Sequence, residues 1–252
     1  MNKNQNSITT VTVSTDSEKN RWSALASKMR CSPIPDSELP FNIGLYTNRI
    51  ALSRILLIEK IYRMIVPVHG VVMEFGVRWG QNLSLFTNCR GIHEPFNHNR
   101  KIVGFDTFCG FPSVDAKDGL NFEAGAYSVT SGYFNELESL LKAHEADSPI
   151  PHKTKFELVA GDATKTVPEY FVKNPHTIVA LAYFDFDIYQ PTKVCLETIL
   201  PRLTRGSIIA FDELNCPEFP GETLAVIETI GLSKYALQRD PSNPTVSWMC
   251  IQ

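Results

Sequence analysis

Five short apolar runs recur along the 252-residue chain, and each contains or ends in an acidic residue. They are VVMEF, KIVGFD, FELVAGDA, TIVALAYFDFD and GSIIAFDE, which begin at residues 71, 101, 156, 177 and 206. Stretches of helical character lie between them, including 131–144 and 191–203. Strands that alternate with helices are typical of a mostly parallel sheet with both faces covered, because parallel strands need crossover connections. The chain is therefore predicted to be an α/β protein.

The remaining segments extend this core at both ends. The run IALSRILLIEKIYRMIV has apolar residues at helical spacing, and Pro67 ends the predicted helix. Near the C-terminus, YALQ and VSWMCI predict two closing strands, which would bring the sheet to seven. We expect 1–40 to be a polar, partly disordered tail. The segment 41–252 is predicted to be a single domain whose first part is a helical cover.

Composition excludes several classes of protein. The net charge is −3, from 24 basic and 27 acidic residues, which leaves no basic footprint for nucleic acid. No apolar run approaches the roughly 20 residues that span a bilayer, and the N-terminus lacks a signal-peptide core. The six cysteines show no metal-ligand spacing, as expected for reduced thiols. We expect a cytoplasmic protein that binds neither nucleic acid nor membrane.

Three acids at the ends of successive strands outline a nucleoside pocket. Ligands of doubly wound sheets bind at the carboxyl ends of the strands, where Glu74, Asp106 and Asp162 lie. The carboxylate of Asp106 can accept hydrogen bonds from the hydroxyls of a ribose, and that of Asp162 can accept a hydrogen bond from the amino group of an adenine. Taken singly, each acid is more often a loop cap. Taken together, they fit an adenosyl ligand.

The turn after the first strand argues against a pyrophosphate. Its sequence, EFGVRWG, has the pattern ExGxxxG and lacks the first glycine of a dinucleotide fingerprint. Gly76 allows a tight turn, and Gly80 would let a ligand approach the start of the next helix. An adenosyl ligand without phosphates, S-adenosylmethionine, fits these features.

Four more acids follow the fourth and fifth strands. Asp185, Asp187, Asp212 and Glu213 would share one edge of the sheet, where their like charges raise each other's pKa. A hard divalent cation such as Mg²⁺ removes that conflict, since oxygen ligands select it over zinc. We predict that Asp185, Asp212 and Glu213 bind the metal and that Asp187 is the general base for attack on the sulfonium methyl. Helix capping would explain one or two of these acids.

Four motifs resemble the metal-dependent sugar O-methyltransferases of the macrocin (TylF/MycE) type, and most closely their calicheamicin-pathway branch. The motifs are VMEFGVRWGQNLSLF, VGFDTFCGFP, LAYFDFDIYQPT and IIAFDELNCPEFPGETLAV, in the order of the family. The resemblance implies a Rossmann-like methyltransferase fold, S-adenosylmethionine, Mg²⁺ and a homo-oligomer. It places Glu74, Gly76 and Gly80 on the methionine side of the cofactor, Asp106 and Thr107 at the ribose, and Asp162 and Ala163 at the adenine. Asp185 would serve both cofactor and metal, while Glu213 stands where the family usually has Asp.

Three functions stay open at this point. The first is O-methylation of a sugar hydroxyl in a small-molecule glycoside of antibiotic biosynthesis. The second keeps the fold and the metal but methylates a catechol-like phenol, which also offers vicinal oxygens. The third is a non-catalytic cofactor-binding subunit, although such a subunit has no need of a poised base. The long loop at 111–132 is expected to shape the acceptor pocket.

Overall fold

The computed structural model describes residues 8, 10, 14–119 and 122–252. Seven strands in the described residues form one sheet: β1 Val71–Phe75, β2 Ile102–Asp106, β3 Phe156–Ala160, β4 Val179–Phe184, β5 Leu203–Phe211, β6 Gln238–Asp240 and β7 Asn243–Cys250. Their order is β3-β2-β1-β4-β5-β7-β6. β1 to β5 are parallel to one another, and β7 is antiparallel to β5 and β6. The predicted seven-stranded, mostly parallel sheet is confirmed.

Helices cover both faces of this sheet. The α-helices of the described residues are α1 Asp16–Arg30, α2 Arg49–Ile65, α3 Gln81–His93, α4 Tyr133–Ala146, α5 Ala163–Lys173, α6 Tyr189–Ile199 and α7 Pro220–Thr229, and those from α2 to α7 form the covering layers. Because strand side chains alternate, Val72 packs with α2, α3 and α4, while Met73 packs with α5, α6 and α7 on the opposite face. The two buried clusters make this a doubly wound α/β fold, as predicted.

The direction of winding reverses beside β1. This strand pairs with β2 on one side and with β4 on the other, so that Glu74 lies between Gly104 and Tyr183. The chain builds β2 and β3 outward from β1, then crosses over to build β4 and β5. Such a reversal opens a crevice at the carboxyl ends of the strands. The ends of β1 and β4 therefore lie side by side at this crevice.

The helix that precedes the sheet brings a cation toward this crevice. The side chain of Asn48 caps α2 by accepting a hydrogen bond from the amide of Ala51 at 2.9 Å. Ile58 and Ile61 are fully buried against the sheet, and each such side chain contributes roughly 1.5–3 kcal/mol. Arg54 lies four and seven residues before them, which places it on the same buried face of the helix.

The N-terminal region departs from the expected tail. The segment 1–40 contains α1, which begins with a capping box between Thr15 and Glu18 and buries no residue. Residues 1–7, 9 and 11–13 of that segment lie outside the described residues. Throughout the described part of the chain, every helix falls short of the length and apolar character needed to span a bilayer.

Candidate active site

A cavity of about 280 Å³ opens at the carboxyl edge of the sheet. Its walls come from the ends of β1 to β5, from α2 and from the 111–132 loop. Nine of the eleven residues that the sequence predicts for a site line it, namely Gly76, Asp106, Thr107, Asp162, Ala163, Asp185, Asp187, Asp212 and Glu213. The structure thus brings together residues that are up to 137 positions apart, since the first is 76 and the last is 213.

Glu74 and Gly80 do not line the cavity. The Glu74 side chain lies in β1 beneath it, with 1% of the residue exposed and Oε2 without a hydrogen-bond partner. Burial raises the pKa of Glu74 well above its ordinary value, and the charge of Asp185 adds to the effect. At Gly80 an added Cβ would lie 2.4 Å from Cδ1 of Leu137. That glycine makes room for α4, and its predicted place beside the cofactor stays a prediction.

A side chain at position 76 would clash more severely than one at position 80. The φ of Gly76 is +91°, and an added Cβ would lie 2.0 Å from the backbone oxygen of Asp185. Only glycine allows the end of β1 to pass this close to the end of β4. The tight turn expected there is present, and it brings the cavity floor against the segment that carries the acids.

Asp106 organises one side of the cavity. Its Oδ2 accepts the amides of Val77 and Arg78 at 2.8 and 2.7 Å, and its Oδ1 accepts the amide of Phe108 at 2.6 Å. A carboxylate offers about four lone-pair sites, so one remains for a ligand. Asp106 therefore holds two turns in place besides lining the cavity.

Asp162 likewise lines the cavity and at the same time holds local backbone structure in place. Its Oδ1 accepts from the amide and the hydroxyl of Thr164 at 3.0 and 2.7 Å, which caps α5. The loop-cap alternative therefore applies to this acid. Oδ2 takes no part in that cap, and the nearest cation, Lys165, lies 3.7 Å away. Capping and ligand binding are compatible here, because they use different oxygens.

Three acids converge on the other side of the cavity. Each of Asp185, Asp187 and Glu213 offers an oxygen within 4.8 Å of the others. Asp187 has a left-handed φ of +62°, and its Oδ1 and the Oε2 of Glu213 have no hydrogen-bond partner. Burial raises the pKa of all three carboxyls, and the negative charges of neighbouring acids add to the effect, although for Asp187 the contact with the Glu213 carboxyl acts in the opposite direction. Neighbouring buried carboxyls of this kind are destabilising until a cation or protons neutralise them.

Asp212, which the sequence places among the metal ligands, has other partners. The Arg54 guanidinium binds both of its oxygens, with Nη2 to Oδ2 at 3.0 Å, and the Tyr183 hydroxyl donates to Oδ1 at 2.6 Å. Burial alone lowers the pKa of Arg54, but the Asp212 carboxylate outweighs it and raises that pKa. The grouping expected from the sequence is therefore altered: Asp187 replaces Asp212 beside Asp185 and Glu213.

Three functional candidates are absent from the sequence-based prediction. Arg54 could have been found from its position on the apolar face of α2. Glu222 is fully buried in α7, where its Oε2 accepts the amide of Glu213 at 3.1 Å, and burial raises its pKa well above the ordinary value. Arg78 lines the cavity with its guanidinium 4.8 Å from the Tyr127 ring and its Nε unpartnered. No sequence pattern distinguishes Glu222 from an ordinary helical glutamate.

The acid group fits a hard divalent cation. Its donors are all carboxylate oxygens, which is the ligand type of Mg²⁺, Mn²⁺ and Ca²⁺. The Oε2 of Glu213 is buried and unpartnered, so a cation would satisfy it without displacing an existing bond. Arg54 lies at the border of the group, with Nη2 3.7 Å from Oδ2 of Asp185.

No family model and no curated protein matches the sequence, but solved structures do. A crystal structure of CalS11, a calicheamicin methyltransferase, matches with a TM-score of 0.92 and 42% identity over 95% of this chain and 94% of that chain. An apo structure of CalS11, described as a TDP-rhamnose 3'-O-methyltransferase of calicheamicin biosynthesis, gives 0.85 and 40% over 95% and 96%. The O-methyltransferase NovP matches with 0.62 and 16% over 82% of each chain, which supports the fold.

Proposed function

The chain belongs to the family of sugar O-methyltransferases that includes CalS11, and on that premise we propose that it uses S-adenosylmethionine and Mg²⁺ to methylate a hydroxyl of a deoxysugar in antibiotic biosynthesis. The family resemblance of the sequence motifs is thereby confirmed. One observation supports the mechanism: a single cavity has Asp106 and Asp162 on one side and three converging acids on the other. A methyl donor and an activated hydroxyl would meet between them.

The cofactor would bind along the first of these sides. The free lone pair of Asp106 would accept a ribose hydroxyl, and Oδ2 of Asp162 would accept the adenine amino group. Thr107 and Ala163 flank these two acids in the cavity wall. Gly76, which lines the cavity, would border the methionine part. Arg78 supplies a cation on this wall that suits the carboxylate of the methionine part.

Asp185, Asp187 and Glu213 would hold the divalent cation. When bound, the cation supplies Lewis-acid chemistry, which lowers the pKa of an acceptor hydroxyl and fixes its orientation. The Arg54 side chain keeps Asp212 in one conformation beside this group. Glu222 supports Glu213 from below through the backbone amide.

Asp187 is the proposed general base. Its Oδ1 is buried and unpartnered, and burial raises the pKa of the carboxyl toward the neutral range where a base is most effective. A carboxylate has two oxygens, so one can face the cation while Oδ1 accepts the proton of the acceptor hydroxyl. The hydroxyl oxygen then forms a bond to the methyl carbon as the carbon–sulfur bond breaks, and S-adenosylhomocysteine leaves.

The acceptor is proposed to be a sugar, in one of two forms. The starting expectation is a finished glycoside of a secondary metabolite. A nucleoside-diphosphate sugar is the second candidate, because CalS11 is described as a TDP-rhamnose 3'-O-methyltransferase. Three aromatic side chains from the 111–132 loop and the segment before α7 pack with their ring centroids 5.4–5.5 Å apart and would border the acceptor, namely Phe111, Phe122 and Phe219.

A homo-oligomer is also proposed. Large apolar side chains lie exposed in the segment that precedes and begins α2, with Phe41 89% and Leu45 67% exposed. Exposed apolar patches of this kind mark protein–protein contacts. Light scattering of the wild type against Phe41→Ser and Leu45→Ser should show a smaller assembly for the variants; a monomeric wild type would refute the proposal.

An acceptor panel tests the function. The purified protein, S-adenosylmethionine and Mg²⁺ are incubated with deoxysugar nucleotides, deoxysugar glycosides and catechols, and products are identified by mass. We expect methylation of a sugar, loss of the reaction in EDTA and recovery with Mg²⁺. Full activity in the chelator would remove the metal from the mechanism. A catechol product without a sugar product would favour the alternative acceptor class.

A further inference from the structure

The helix that follows the proposed base lacks a cap of its own. Ile188 stands at the N-cap position of α6 and has no polar side chain. Pro191 in the first turn has no N–H, so Tyr189 and Gln190 carry the donors that need partners there. Acidic side chains near the start of a helix often cap it, and Asp187 lies one residue before the N-cap position. Its Oδ1 nevertheless makes no hydrogen bond.

A distant acid supplies the missing cap. Asp118 lies in a short 3₁₀ turn of the 111–132 loop and is 1% exposed. Its Oδ1 accepts the amide of Tyr189 at 2.5 Å, and its Oδ2 accepts the amide of Asp115 at 2.7 Å. A carboxylate at a helix N-terminus is stabilising, both as a hydrogen-bond acceptor and as a counter-charge to the helix dipole.

The contact is closely fitted. An added Cβ on Gly221 would lie 2.4 Å from Oδ1 of Asp118 and 2.6 Å from the amide nitrogen of Tyr189. The loop, the start of α6 and the start of α7 therefore meet at one point where only glycine fits. Beside this point, exposed Lys117 bonds Glu228 of α7 and lies 4.0 Å from the centroid of the Tyr189 ring, so it also contacts the start of α6.

The position of this cap links the loop to the active site. Tyr189 is two residues after Asp187, and its neighbours Ile188 and Pro191 line the cavity. Asp187 is held at φ +62°, a conformation that costs energy for a residue with a side chain and needs support from its surroundings. Fixing the Tyr189 amide restrains the chain just beyond this strained residue.

From these contacts we propose that Asp118 is a positioning residue for methyl transfer. It caps α6 from the 111–132 loop, and this leaves the carboxylate of Asp187 free to face the cavity in one orientation. The catalytic consequence of this inference rests on the proposed function, whereas the helix cap does not depend on that function. A loop that shapes the acceptor pocket would thus also set the position of the base.

The test compares Asp118→Ala, Asp118→Asn and a control in the same loop, Glu123→Ala, which removes an exposed acid. Asparagine keeps an acceptor oxygen for Tyr189 and loses the second one for Asp115, whereas alanine loses both. Hydrogen exchange of a peptide covering 186–193 is followed by mass spectrometry in the ligand-free protein. We expect exchange to speed up about fivefold or more in Asp118→Ala, with Asp118→Asn and Glu123→Ala near wild type.

Kinetics provide the second measurement. With a methylated acceptor in hand, Asp118→Ala should lower kcat about tenfold and leave the affinity for S-adenosylhomocysteine within about twofold, because Asp118 bonds no residue of the cofactor side. Asp118→Asn should restore most of kcat. If Asp118→Ala fails to fold, Gly221→Ala displaces the same contact and takes its place.

Two outcomes would overturn the proposal. One is unchanged exchange at 186–193 in Asp118→Ala; the other is a loss of kcat no larger than that of Glu123→Ala. Failure of the proposed function has a different signature, since no sugar would then be methylated by the wild type. The exchange measurement would still decide whether Asp118 caps the helix.

Discussion

The two edges of the sheet differ in whether their acidic side chains are paired with cations. At the amino edge, Arg90 and Lys155 share the carboxylate of Glu145, with Lys155 Nζ 2.6 Å from Oε2. Close by, Arg100 donates to Glu94 at 2.9 Å and to three backbone oxygens. At this edge each acid has a cation, and the side chains tie helices to the starts of strands.

The carboxyl edge has more acids than cations. Asp185, Asp187, Glu213 and Glu222 lie together, while the nearby guanidinium of Arg54 is paired with Asp212. Buried carboxylates without partners cost stability, so a fold that keeps them gains something other than stability. The difference indicates that the amino edge holds the protein together and the carboxyl edge performs chemistry.

The largest expected effect comes from removing the proposed base. Asp187→Asn should lower kcat by about 10²–10⁴-fold, the usual contribution of general base catalysis, and should leave cofactor affinity nearly unchanged. Because one charge leaves a crowded acid group, the free energy of unfolding should stay equal or rise. Steady-state kinetics, calorimetry with S-adenosylhomocysteine and urea unfolding measure the three quantities. Turnover at the wild-type rate would show that another group takes the proton.

An amino-edge variant should behave in the opposite way. Glu145→Ala leaves two buried cations without their carboxylate, and breaking a buried pair in this manner costs about 3–5 kcal/mol of unfolding free energy. Glu138→Ala on the same helix is the matched control. It removes an exposed pair with Lys142 at 2.7 Å, which is worth less than about 1 kcal/mol. Equal losses in the two variants would contradict the structural role of the amino edge.

The sequence predicts the strands and the acids at their ends, but not the contacts that those acids make. Strand positions follow from apolar runs bounded by acids and glycines, and the site acids follow from lying at strand ends. The partners of those acids do not, because contacts such as Arg54 with Asp212 join residues 158 positions apart. Asp187 enters the acid group through a left-handed backbone that no side-chain pattern encodes. Gly80 illustrates the same limit, since its neighbour is set by the packing of α4.

Metal binding separates the two candidate ligand sets. Saturating Mg²⁺ should raise the free energy of unfolding of the wild type by about 2–3 kcal/mol at ~100 times the dissociation constant. Asp187→Asn should reduce this rise if the structural grouping holds, and Asp212→Asn should largely retain it. The reverse pattern would favour the ligand set predicted from the sequence, which is Asp185, Asp212 and Glu213. Glu145→Gln, at the other edge, should leave the rise unchanged although it lowers stability without metal.

The smallest expected effect is a pH dependence at the amino edge. Burial on its own raises the pKa of Glu94, but bonds from Arg100 and Tyr62 outweigh it and hold that pKa below its ordinary value. A depressed carboxyl pKa contributes stability above the unfolded value of about 4.3, and the contribution is lost as pH falls through the folded pKa. Glu94→Gln should therefore be less stable than wild type by about 1 kcal/mol at pH 7.

The difference between Glu94→Gln and wild type should shrink as pH falls below about 4.3, because protonated Glu94 and glutamine are both uncharged. Urea unfolding at pH 7, 5 and 3.5 measures it. Glu157→Gln is the control, since its exposed pair with Lys101 at 3.4 Å contributes little at any pH. A difference that grows toward acid pH would mean that Glu94 is not stabilised as an anion. The amino edge would then resemble the carboxyl edge, where burial raises carboxyl pKa values and ionisation is the destabilising step.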